Sequence, residues 1–485
     1  MRLRSLLLTL VLFALSSPAW GQAVPSREPS STHIFPAGGR RGTNVSVRVG
    51  GECWVPGTKL TLRGEGVTAP PVLGSRVSPN YEPSARRLPR DADGGGSAMT
   101  YPREWESTIT IAAKAPLGTK FWRVSSAWGG TQLRPFIVGD LPEFIETEPN
   151  SEPERAEHLT LPVVVNGQIA GERDLDFYLF SARAGEVVVF DVLAARIGSP
   201  LDPVLEIADL AGRRMEVEEI RAGTDPVIAF RAPATGDYRV CIANVSFHGG
   251  PQYVYRMTVS TAPFVAYAMP PAGKVGTARD LLAYTLTGTG SPRAVTRRVA
   301  FPSIPGPFKL GNSIALLASE NPEVVVSDAH HSPAQSLALT LPVIAHGQFR
   351  TASGEDWFQF SAKKDEAISV RCRPFPETSA ALPEMALFNT TGQILAKAGA
   401  ADSANHESFI DWKAPADGPY RLRLRDLEYG TRGGADFLYR LEVRQAQPDF
   451  ELRLEPDFVN VVQGGKTEID LNVHRLGGFG GAINL

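Results

Sequence analysis

Residues 145–162 read IETEPNSEPERAEHLTLP and place Glu146, Glu148, Asn150, Ser151 and Glu152 within seven positions, just before an apolar run. All five side chains offer oxygen. In an extended segment alternate residues point to one side, so Glu146, Glu148 and Asn150 would present hard oxygen donors together. A divalent cation such as Ca²⁺ asks for about six to eight such oxygens. A stretch rich in proline and glutamate is equally what a solvated linker between folded units contains, so two readings stand, an ion site and an acidic joint.

Other candidate chemistry is sparser. Asp91 and Asp93 precede three glycines in RDADGGGSAM, but the later acidic ligand of a calcium loop is missing, and a flexible surface loop is expected. His330 and His331 are adjacent, and neighbours on a strand point to opposite faces, so they are not expected to share a transition metal. The GKT of NVVQGGKTE has Asn460 where a P-loop requires glycine, and reads as a hairpin turn. There is no G-x-S-x-G elbow, no H-E-x-x-H and no C-x-x-C-H in the chain, and the eight histidines are scattered. The chain is read as non-enzymatic.

The elements that must position these residues are strands. Short runs such as NVSVRVG, AISVRCR and YRLRLRD alternate apolar with polar residues between abundant glycine and proline, giving an all-β chain of tandem β-sandwiches. At 485 residues, about three to five domains are expected. An internal repeat organises them. LTLPVVVNGQIAGERDLDFYLFSA from Leu159 recurs as LTLPVIAHGQFRTASGEDWFQFSA from Leu339, so that Asp176 falls on Asp356. The match continues through APATGDYRV against APADGPYRL and closes with GGPQYVYRMTV against GGADFLYRLEV.

Alternation assigns faces: Tyr420, Leu422 and Leu424 inward, Arg421, Arg423 and Arg425 outward. By the same rule Cys241 faces outward, where it is either covered by a neighbouring domain or reactive, and Cys372 faces inward, so these two are not expected to pair. Trp357 is placed outward beside inward Phe358 and Phe360, as a contact for an adjoining domain or a carbohydrate platform.

The repeated unit, read through ETEPN, NGQI, DLDFYLF, SPLDPVLEIAD, APATGDYRV and YVYRMTV, resembles the bacterial pre-peptidase C-terminal domain. That family is a jelly-roll-like β-sandwich appended to secreted proteases and collagenases. The flanking FPAGGRRGTNVSVRVGGE and MPPAGKVGTARDLLAYTLTG resemble degenerate immunoglobulin-like domains of the IPT/TIG kind, and the alternation resembles large exported proteins of planctomycete-like bacteria. The organisation expected is a signal peptide at 1–23, an immunoglobulin-like sandwich at 33–140, a first repeat at 145–260, a degenerate IPT/TIG-like segment at 263–322, a second repeat at 325–444, and the start of a further, incomplete sandwich at 449–485. The resemblance further implies a Ca²⁺ site in the first repeat, built from Glu146, Glu148, Asn150 and Ser151 with Asp174 and Asp176 of the ERDLDF loop. In the second repeat Val326, Asp328 and His330, His331 and Ser332 take the corresponding places, and calcium is not expected there.

MRLRSLLLTLVLFALSSPAWGQA has the basic start, short apolar core and small residues of a secretory signal, placing the protein in the periplasm, at the cell surface or outside the cell. With 52 acidic and 49 basic side chains, no global field attracts nucleic acid or an anionic membrane, and no later apolar stretch is long enough to span a bilayer. The expected function is a non-catalytic exported scaffold whose serial sandwiches bind an extracellular polymer or envelope protein, with the accessory half of a secreted hydrolase as the rival.

Overall fold

A computed structural model describes residues 28–74, 103–218, 225–288, 292–310, 314–376, 379–399, 406–455, 458–477 and 479–484. The expected signal peptide and the Asp91/Asp93 loop lie outside them. The chain is all-β: among the described residues, helix is confined to three 3₁₀ turns.

Both repeats are two five-stranded sheets face to face. In the first, one sheet runs Glu143–Ile145, Val163–Gln168, Val254–Ser260, Val187–Leu193, Val227–Arg231, and the other Glu157–His158, Leu175–Ala182, Gly236–Asn244, Pro203–Asp209, Arg214–Glu218. The short leading strand of each sheet pairs parallel with its neighbour, while the remaining pairs are antiparallel. The second repeat repeats this order strand for strand, beginning with Glu323–Val325 parallel to Val343–Gln348. Period-two alternation supplies the core between the sheets. In the first repeat, Phe180 packs edge-on to Phe190 at 5.0 Å and to Phe230 at 6.0 Å. Cys372 lies in the equivalent core of the second repeat.

The leading strand of the first repeat is clamped by a buried ion pair. Arg256 donates through both terminal nitrogens to Glu143 at 2.9 and 3.1 Å and to Asn166 at 2.6 Å. In the second repeat the corresponding Arg440 turns to Glu442, and Glu323 faces Arg279 of the preceding sandwich at 3.7 Å.

The sandwich before each repeat shares a layout. Ser30–Phe35 and Val265–Met269 each end at a cis X-Pro bond, Phe35-Pro36 and Met269-Pro270. Each is followed by a three-residue strand, Gly38–Arg40 or Ala272–Lys274, paired parallel in the opposite sheet. The first of these sandwiches has two four-stranded sheets and a supplementary strand, and the later one has two three-stranded sheets with a smaller core around Leu281, Phe301 and Leu316. After the second repeat comes the hairpin Asp449–Glu455 with Asp470–Leu476.

Two side chains depart from the sequence reading. Trp357 lies on the outer face as alternation requires, but it is only 7% exposed. Phe388 of its own sheet covers it at 5.3 Å, and its indole nitrogen donates to Glu355. It is therefore neither an open platform nor an anchor awaiting another domain. Cys241 is half-buried, and burial pushes its thiol up, the opposite of what a reactive thiolate needs.

Candidate metal centre

The acidic segment runs from the strand Glu143–Ile145 to the 3₁₀ turn Pro153–Arg155 and lies along the start of Leu175–Ala182, where the amide of Phe177 donates to the carbonyl of Asn150 at 3.3 Å. That alignment brings the two halves of the sequence-expected set together. One oxygen from each of Glu148, Asp174 and Asp176 lies within 4.8 Å of the others. Glu148 sits exposed at the mouth and Asp176 is fully buried. Glu146 stands next to Asp176 through shared donors: Tyr255 gives its hydroxyl to Asp176 at 2.6 Å and approaches Glu146 at 3.4 Å, and Tyr178 donates to Glu146 at 3.0 Å. The backbone amide of Gln168 donates to the other oxygen of Glu146.

Asn150 is fully buried, yet neither its amide oxygen nor its amide nitrogen has a hydrogen-bond partner, and one oxygen of Asp176 is buried in the same condition. Buried polar atoms are ordinarily satisfied, so two such groups beside a carboxylate cluster point to a ligand that takes oxygen. Ser151 is differently employed. Its hydroxyl donates to Asp174 at 2.6 Å, and the amide of Ala170 donates to the other Asp174 oxygen at 2.6 Å, fixing that carboxylate's direction.

Electrostatics sharpen the picture. Burial, with the neighbouring Glu148 charge, pushes Glu146 up to about 8. Partial burial of the carboxyl end of this otherwise exposed side chain, with the Asp174 charge, pushes Glu148 up to about 7. Burial, then Glu146 and Asp174, hold Asp176 well above the usual carboxylate range. Among the described residues no ion pair joins any of these four carboxylates to a cationic side chain. Three clustered acids, with Glu146 beside them, thus lie together with no counter-charge of their own, and the donors are all oxygen, the set Ca²⁺ prefers.

The second repeat supplies counter-charge from its own sequence. Val326 replaces Glu146 and is buried. Arg350, at the place of Ala170, pairs with Asp328 at 2.7 Å, and His331 approaches Asp356 at 3.4 Å. Asp356 accepts the Tyr439 hydroxyl, and burial leaves it pushed up to about 6. The ring of His330 meets the carbonyl of Gln335 and that of His331 the carbonyl of Glu355, so the adjacent histidines diverge.

Sequence reasoning missed Tyr178, Tyr255 and Gln168. Gln168 also faces the preceding sandwich: its side-chain oxygen accepts from Arg48 at 3.1 Å, and Arg48 in turn pairs with Glu104 at 3.1 Å. Ile197 and Val254 of the first repeat are buried in the first sandwich's core, so the two units share packing as well as hydrogen bonds. Elsewhere on the repeat, His158 Nε2 lies 3.2 Å from Ser181 Oγ, but Ser181 donates to Asp237, which faces the same imidazole nitrogen at 3.8 Å. The order base-between-nucleophile-and-acid of a hydrolytic triad is not present in this cluster.

No protein-family model matches this chain. A segment of 67 residues is 39% identical to part of a probable subtilase-type serine protease of Deinococcus radiodurans, covering 14% of this chain; the chain spans 9% of that protein's length. Among solved structures, the pre-peptidase C-terminal domain of a Bacillus anthracis collagenase aligns at 14% identity over 23% of this chain and 98% of its own, with a TM-score of 0.19. A Bacteroides ovatus protein from a mixed-linkage glucan utilization locus, solved with a mixed-linkage heptasaccharide, aligns at 10% identity over 86% of this chain and 72% of its own, with a TM-score of 0.16.

Proposed function

We propose that this chain is a non-catalytic, exported binding scaffold of serial β-sandwiches, with two repeats of the pre-peptidase C-terminal type, whose first repeat is set by Ca²⁺. The ligands would be Glu146, Glu148, Asp174, Asp176 and Asn150, with Ser151 positioning Asp174 rather than coordinating. The observation that carries this is the cluster of Glu148, Asp174 and Asp176, with Glu146 beside it and no counter-charge among the described residues, next to the buried and unpartnered Asn150. A bound cation would supply the missing positive charge and take the orphaned oxygens. Through Glu146 and Gln168 it would also stiffen the joint to the first sandwich, fixing how its binding surfaces face an extracellular polymer or envelope protein.

Thermal unfolding of the chain with Ca²⁺ and with chelator tests the reading. At a calcium concentration one hundred times Kd, linkage adds about 2.7 kcal/mol to the first repeat. Its transition should then rise by about 5–10 °C, and Glu148→Gln should remove most of the rise. Equal melting with and without calcium would overturn the ion site.

The 67-residue match to a serine protease supports a second reading, an accessory portion of a secreted peptidase whose catalytic domain lies beyond residue 485. Reading the coding sequence past Leu485 separates the two: a catalytic motif favours the accessory role, and further sandwiches favour the scaffold.

A further inference from the structure

The outer face of the first sandwich carries a row of cations without partners. Lys59 and Arg63 belong to the strand Lys59–Arg63, and Arg123 stands opposite Thr61 on the neighbouring strand Gly118–Ser126. Lys59, Thr61 and Arg63 alternate onto one face of the sheet, and a residue directly opposite on the neighbouring strand shares that face, so the three cations project to the same side. None forms an ion pair among the described residues, and the Nε of Arg123 is buried without a hydrogen-bond partner. They open onto a cleft of about 1090 Å³ whose far wall is the segment 458–463, attached by the Gly130 amide to Asn460 at 2.9 Å and by the Gln463 amide to Ala127 at 3.0 Å. Among the described residues lining it there is no carboxylate; Ser125 and Ser126 add hydroxyls, and Phe458 and Val461 add an apolar side.

We propose that this cleft binds an acidic polysaccharide, taking its carboxylate or sulfate groups on Lys59, Arg123 and Arg63. The inference rests on the polymer-binding reading above and names its site and ligand class. The small number of cations decides the class: a nucleic-acid strand is held by many phosphate contacts, whereas three cations among hydroxyls and one apolar wall suit a sparsely charged, hydroxyl-rich glycan chain. With a protein of net charge −3, attraction must be local to such a row.

The test is affinity electrophoresis and calorimetry of the whole chain against polygalacturonate, dextran sulfate, neutral dextran, oligo-dT and polyglutamate. Polygalacturonate or dextran sulfate should bind and neutral dextran should not; which of the two binds tighter tells carboxylate from sulfate. The triple variant Lys59→Ala, Arg63→Ala, Arg123→Ala should lose affinity at least tenfold with an unchanged melting temperature, and Arg123→Lys should retain most of it. Wild-type affinity in the triple variant, or tighter binding to oligo-dT or polyglutamate, would overturn the assignment. Binding to neutral dextran but to neither acidic glycan would remove this site and leave the polymer-binding reading standing; binding to nothing in the panel would remove both.

Discussion

Asp176 separates a structural carboxylate from a metal ligand. It is fully buried, accepts from Tyr255 and faces three other acids, so without a cation its charge is a liability. Asp176→Asn keeps the shape and the tyrosine bond. It should stabilise the chelated protein by about 1 kcal/mol or more while abolishing the response to calcium, measured by paired melts. A merely structural aspartate would lose stability under both conditions. The pH dependence follows with a definite sign. Glu146 and Glu148 titrate at about 8 and 7 in the folded protein against an ordinary 4.5, so the folded state holds their protons more tightly. Their contribution is fully present below pH about 4.5 and is lost as pH rises through 7 to 8. In chelator the first repeat should therefore weaken from pH 5 to pH 8, and because calcium competes with those protons, its stabilising effect should grow over the same window. Chelated melting temperatures that are flat or rising with pH would contradict the cluster's electrostatics.

At the scale of elements, Gly167 in Val163–Gln168 faces the Tyr255 ring and the Glu146 carboxylate so closely that a Cβ would collide with both. Gly167→Ala should cost about 1–3 kcal/mol and weaken calcium binding along with it, read by calorimetry. Arg256→Met breaks the clamp on Glu143 and leaves a carboxylate without its partner, at a cost of about 3–5 kcal/mol. The double change with Glu143→Leu should recover much of that loss in denaturant melts. How far the sequence disclosed these elements depends on the kind of interaction. Alternation in YRLRLRD and the recurrence of LTLP…FSA made the strands and paired sandwiches legible, because each strand's faces follow from period two. The candidate ligands Glu146, Glu148, Asn150 and Ser151 were legible because they are close in the chain, and Asp174 and Asp176 came with the family resemblance. Tyr178 and Tyr255 were not, since their hydroxyls meet at 2.7 Å from strands far apart in sequence. Nor was the cover over Trp357, which comes from Phe388 across the sheet and obeys no local period.

For the whole molecule, the junction between the first sandwich and the first repeat is the place where the carboxylate cluster, a hydrogen-bond chain and shared packing coincide. Arg48, Gln168 and Glu146 form that chain, with Ile197 and Val254 packed beside it. Removing calcium should expose residues 140–152 to protease several-fold faster, as local opening there becomes easier. Arg48→Ala should reproduce part of the effect in saturating calcium. No helix among the described residues is long and apolar enough to cross a membrane.

The second repeat carries Arg350 and His331 where the first leaves its acids uncompensated. On the calcium reading proposed above, if the surroundings run short of divalent ions, such a molecule would not soften evenly; the proximal repeat would loosen first, while the distal one, with the Arg350 cation written into its own sequence, stays shut. Scarcity of the ion would then be registered as slack at the joint around Gln168.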